Sequence, residues 1–141
     1  MQPNILSFPK VQSIVFCGDI HGDFIALVDK LRQTDIHDAL IVVVGDCGFG
    51  FETPDYYEDT YQKILRHLHA YNLWIVMFRG NHDNPAYFNG EKRITYECWQ
   101  TIPDYTILQA CNHNILCVGG AISIDRQMRL QWMDIRPERE A

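Results

Sequence analysis

Three runs of apolar, mostly β-branched residues punctuate the chain: Ile14-Val15-Phe16-Cys17, Ile41-Val42-Val43-Val44 and Trp74-Ile75-Val76-Met77-Phe78. Each gives way to a glycine-bearing polar turn, in order Gly18-Asp19-Ile20-His21-Gly22, Gly45-Asp46-Cys47-Gly48 and Arg79-Gly80-Asn81-His82-Asp83. Unbroken apolar runs of this length fit strands covered on both faces. The pattern predicts strands over Gln12–Cys17, Ala39–Val44 and Leu73–Phe78. Between the first two, Phe24, Ile25, Leu27, Val28 and Leu31 recur at helical spacing, predicting a helix over Asp23–Gln33. A polar link, 34–38, follows it. The second helix starts at Thr53-Pro54-Asp55, with proline near the first turn, and ends near Asn72. Tyr57, Tyr61, Ile64, Leu65 and Leu68 form its apolar stripe. The order is β-α-β-α-β, and crossovers of this kind are right-handed almost without exception. Parallel strands would bring the three polar turns to one carboxyl edge, where open α/β sheets bind ligands. Two Asp, two His and an Asn gathered there point to a metal site.

Past His82 the pattern shortens. Residues 84–90 read as a loop or one helical turn. Ile94–Trp99 and Tyr105–Leu108 are short strand candidates parted by Pro103, and Asn112-His113-Asn114 reads as a turn. The strongest late strand, Ile115–Val118, ends in Gly119-Gly120, and Ala121–Ile124 continues it after a bend. The charged residues from Arg126 onward leave a tail, 126–141, with little for a core. The leader Met1–Lys10, with two prolines, carries no element. With 141 residues, one domain spanning 1–141 is the default.

Composition narrows the class. A hydrophobic share of 47% with 21% charged residues is that of a globular protein. A formal charge of −6 argues against non-specific nucleic-acid binding, which needs basic surface. Several of the carboxylates (Asp19, Asp23, Asp46, Asp83) fall in the glycine turns, where they would repel one another without a cation between them. Five cysteines with no CxxC pair read as reduced, mostly buried thiols of a cytoplasmic protein. Neither a signal peptide nor an apolar run of the ~20 residues that a membrane span needs is seen.

Singly the motifs are weak; together they are specific. The succession GDxHG, GD and GNHD, each after a strand, resembles the calcineurin-like metallophosphoesterases over residues 14–83. A softer likeness runs through Val118-Gly119-Gly120-Ala121-Ile122-Ser123-Ile124-Asp125-Arg126. The resemblance implies an α/β fold, a mostly parallel sheet with flanking helices that forms the first half of a four-layer α/β/β/α sandwich. It implies that Asp19 and His21 bind one metal ion, Asp46 bridges two and Asn81 binds the second. His82 would donate a proton to the leaving group of a phosphate ester, with Asp83 orienting His82 or capping the next turn. A bridging carboxylate can hold two cations ~3.5–4 Å apart, so that a bridging hydroxide attacks phosphorus. Carboxylate, imidazole and amide donors without thiolate favour Mn, Fe, Zn or Ni. Arg79 is read as a phosphate attractor or, equally, as facing solvent or a carboxylate partner, and Cys47 as a pocket-lining thiol ahead of a soft ligand. His37, His67, His69 and His113 receive no ligand role.

The likeness has gaps. The family's phosphatase branch continues its second motif into an acidic residue and an arginine, whereas here Gly48-Phe49-Gly50 follows. The family also supplies further histidines later, one alone and two in GHxH, and neither occurs here. The expectation is a metal-dependent phosphoesterase crippled in this 141-residue form; the alternative is a non-catalytic metal-binding or scaffold protein that keeps the fold. Loss of much of the second sheet would leave apolar surface and favour a homodimer.

Overall fold

In a computed structural model, residues 4–18, 20, 22–45, 47–48, 54–80, 83–89 and 92–118 are described. A five-stranded sheet is built from β2 (Ser13–Gly18), β3 (Ala39–Val44), β4 (Leu73–Phe78), β5 (Thr95–Tyr96) and β6 (Trp99–Thr101), in the order β2-β3-β4-β6-β5. All its neighbours are parallel except the β5–β6 hairpin. A second sheet holds β1 (Ile5–Ser7), β7 (Thr106–Ala110) and β8 (His113–Cys117), in the order β1-β7-β8. The helices are α1 (Phe24–Gln33) and α2 (Pro54–Ala70).

Strand periodicity assigns the two faces of the large sheet. Odd-numbered residues of β3 and β4, among them Ile41, Val43, Ile75 and Met77, pack with Phe24, Val28 and Leu31 of α1 and with Tyr57, Ile64 and Leu68 of α2. Even-numbered Leu40, Val42 and Val76 pack instead with Leu108, Ala110 and Cys117 of the second sheet and with Phe8, Val11 and Ile102. The described part is thus three layers: helices, large sheet, small sheet. Burial on both faces explains the unbroken apolar run of β3, which is fully buried from Ala39 to Val43.

The helix ends follow local chemistry. Asp23 caps α1 by accepting from the Ala26 N–H at 3.0 Å, and Lys30 and Arg32 face the negative end of the helix dipole. After α2, Asn72 takes φ +51 and its amide donates to Asp38 Oδ1 (2.9 Å) and to the Lys10 carbonyl (3.1 Å). That bond ties the turn before β4 to the turn before β3.

Several expectations need correction. The leader does form an element: β1 pairs in parallel with β7, Ile5 opposite Ile107. The run 94–99 is a hairpin, not one strand, because the chain reverses at Glu97–Cys98, where Cys98 has φ +69. The late turn sits at Cys111–Asn112, both with positive φ, so His113 already belongs to β8 and pairs with Ala110. Ile25, assigned to the buried stripe of α1, is 41% exposed. Trp99, at the end of the run 94–99, is fully buried against Phe24 at 5.0 Å between ring centroids. The stretch 121–124 and the tail 126–141 lie outside the described residues.

Candidate metal centre

The parallel register places Gly18 beside Val44 and Val44 beside Phe78. The three strands therefore stop level with one another, and their turns leave from one carboxyl edge. At that edge the Gly45 N–H donates to the Phe78 carbonyl at 3.2 Å. Gly22, with φ +83, lies so that a Cβ would meet Gly48 Cα at 3.7 Å and the Cys47 carbonyl at 3.9 Å. The first turn thus rests on the second, and the second is joined to the third.

The joint is Asp83. Its side chain is buried, 5% exposed, and Oδ2 accepts from the N–H of Cys47 (3.0 Å) and of Gly80 (2.9 Å). Oδ1 accepts from the N–H of Gly48 at 2.8 Å. One carboxylate therefore collects two donors from the turn after β3 and one from the turn after β4. Hydrogen bonds to a buried anion are the strong kind, and each of these amides would be costly to leave bare. The Tyr57 hydroxyl of α2 adds a bond to the Gly48 carbonyl at 3.0 Å.

Other residues of the edge have definite places. Cys47 is fully buried and its thiol donates to the Phe78 carbonyl at 3.5 Å, consistent with a thiol that packs. Arg79 pairs with Asp104 at 3.1 Å, the carboxylate alternative among its three readings. The Asp104 N–H in turn binds Asn89 Oδ1 at 2.9 Å, which fastens the 3₁₀ turn region after Pro85–Tyr87 to the chain before β7. Burial pushes the Cys17 thiol, on β2 just before the first turn, above its ordinary range. Sequence reasoning missed Asp104 and Tyr57 here, since both act through long-range contacts that leave no local signature.

Asp19, His21, Asp46, Asn81 and His82 lie outside the described residues; what is described is the frame of glycines and Asp83 that flanks them in sequence. The remaining histidines sit elsewhere. His37 lies two residues before β3, and His67 and His69 are in the last turn of α2, which returns the chain to the start of β4. His113 shares an open cavity of about 680 Å³ with Gln12 and Ser13, at the amino end of β2.

A family model for calcineurin-like phosphoesterases matches residues 12–140. No curated protein matches the chain, and no solved structure does. Among the described residues no helix is long and apolar enough to cross a membrane. Members of this family are metal-dependent phosphoester hydrolases that use divalent cations. With its three strand-borne turns held at one sheet edge and a family match over nearly its whole length, the chain belongs to the calcineurin-like phosphoesterase family.

Proposed function

We propose that the chain binds divalent metal ions through Asp19, His21, Asp46 and Asn81 and hydrolyses a phosphate ester, slowly in this form, with His82 as proton donor. The observation that carries this reading is the Asp83 clamp, which fixes the two residues directly after Asp46 and the one directly before Asn81. The donor chemistry fits: two carboxylates, an imidazole and an amide are oxygen- and nitrogen-rich without thiolate, as Mn, Fe, Zn or Ni accept. Bound cations would supply Lewis-acid polarisation of the phosphoryl group and activation of water. The chain's own part is then positional. Asp83 anchors Gly80 and so the loop carrying Asn81 and His82, while Gly22 supplies the positive φ of the first turn. His82 would hold a proton at an imidazole nitrogen for the departing oxygen.

Low turnover is expected because His113 is the only histidine after His82, and it lies by the amino end of β2. Fewer ligands hold the cations less firmly. The alternative, a metal-binding scaffold without catalysis, rests on the same deficit. A cytoplasmic location and a two-metal centre are part of the proposal, as is a homodimer.

Assay of the purified chain on a chromogenic aryl phosphate with added manganese separates the two. Slow, manganese-dependent hydrolysis that vanishes in Asp46→Asn supports the enzyme. Metal uptake with no hydrolysis favours the scaffold. Hydrolysis untouched by Asp46→Asn refutes the assignment.

A further inference from the structure

We propose that His69, Glu97 and Cys98 form a zinc-binding clip that ties the end of α2 to the β5–β6 hairpin. Their donor atoms, one from each residue, all lie within 4.8 Å of one another. His69 comes from the last turn of α2; Glu97 and Cys98 are the two-residue loop between paired Tyr96 and Trp99. The loop sits at the amino edge of the sheet, since the Cys98 carbonyl accepts from Ile75 N–H (2.8 Å) near the start of β4. The clip is therefore separate from the glycine-turn centre and stands whether or not that centre is catalytic.

The geometry is close to what zinc needs. His69 Nε2 and Glu97 Oε1 are 3.4 Å apart. Ligands at about 2.1 Å from a tetrahedral zinc are separated by roughly 3.4 Å. The imidazole–carboxylate edge is thus already formed. The sulfur side has to close by about 1 Å at most, a movement that rotamer changes of the exposed His69 and Glu97 can supply. The soft ligand is the fixed one: Cys98 is 4% exposed, and its backbone holds φ +69, a conformation for which turns usually use glycine.

The charges also balance. Neutral imidazole, carboxylate and thiolate sum to two negative charges, which a divalent cation cancels. Nitrogen, oxygen and sulfur donors together select zinc over magnesium, calcium or manganese. Burial, then the neighbouring Glu97 charge, pushes the free Cys98 thiol up to about 11. With three protein ligands, water completes the tetrahedron. The gain is mechanical: a hairpin of two- and three-residue strands at the sheet edge is pinned to a long helix.

Cobalt(II) titration of the metal-free full chain tests this, because thiolate ligation gives a near-ultraviolet charge-transfer band that oxygen and imidazole ligands do not. The expected result is a band that saturates at one cobalt per chain and is displaced by zinc. It should be lost in Cys98→Ser and in His69→Ala, and retained in Cys47→Ser and in Asp46→Asn. His69 and Glu97 are exposed, so His69→Ala and Glu97→Gln leave the core intact and decide the matter should Cys98→Ser not fold. Absence of the band in the unmodified chain overturns the proposal. So does a band that survives both His69→Ala and Glu97→Gln, or one that disappears in Cys47→Ser.

Discussion

Asp83 shows how much one side chain can organise. A carboxylate at this point offers enough lone pairs for three backbone N–H groups from two turns, which no other side chain of its size matches. Asp83→Ala should therefore destabilise the chain by about 2–4 kcal/mol in denaturant unfolding, through buried amides left without their anion. Metal affinity should fall with it even though Asp83 need not touch a cation. A change below ~0.5 kcal/mol would show that the turns hold themselves. A second residue-scale prediction concerns His37, Asp38 and Asn72. The hydrogen bond to Asp38 raises the His37 pKa above 6.5, so its contribution is complete below that value and is lost as pH rises through the raised one. Asp38 is held below 3.8, first by the Asn72 amide and then by His37, so its contribution is complete above 3.8 and lost as pH falls through the lowered value. Both act together between these limits. NMR titration should show His37 returning towards 6.5 in Asp38→Asn; an unchanged titration would contradict the pairing.

Among the elements, α1 gives the sharpest test of packing. Phe24 is 1% exposed and stacks edge-on against Trp99, while its neighbour Ile25 is 41% exposed. Phe24→Ala should cost about 3–5 kcal/mol, and Ile25→Lys should stay within about 0.5 kcal/mol. Equal losses would mean that the helix face is misassigned. The same pair marks where sequence reading succeeds and fails. Periodicity over a ten-residue helix locates the stripe but not its margin, so Ile25 was placed inside. β3 and β4 were legible to the residue, because strands buried on both faces need an apolar residue at every position. β1 was not: three residues are too few for a period, and its pairing with β7 is set by contacts about a hundred positions away. The reversal at Cys98 was missed, and the turn at Cys111–Asn112 was read one residue too late, for another reason. They put cysteine and asparagine at positive φ, where a sequence reader looks for glycine. At the candidate centre the strand ends and the glycines that follow them were legible, whereas Tyr57 and Asp104 were hidden by distance along the chain.

For the whole molecule, the outer face of the small sheet is the open question that the fold itself poses. Ile5, Ile107 and Leu116 are cross-strand neighbours there, and Ile5 and Leu116 are 56% and 59% exposed. Phe16, on the edge strand β2, is 56% exposed as well. Apolar rows of this kind favour burial against a second copy. Light scattering at micromolar concentration should report a dimer that Leu116→Lys shifts to monomer. A strictly monomeric chain would mean that the row is covered from within.

The central claim is that the three glycine turns form one cation site built on Asp19, His21, Asp46 and Asn81. Calorimetric titration with Mn²⁺, a hard ion with little use for the thiol of the proposed clip, tests it most directly. The account predicts measurable but weak binding, abolished in Asp46→Asn and reduced at least about tenfold in Asp19→Asn, a loss of roughly 1.4 kcal/mol. Binding of undiminished affinity in both variants, each shown by circular dichroism to be folded, would contradict it.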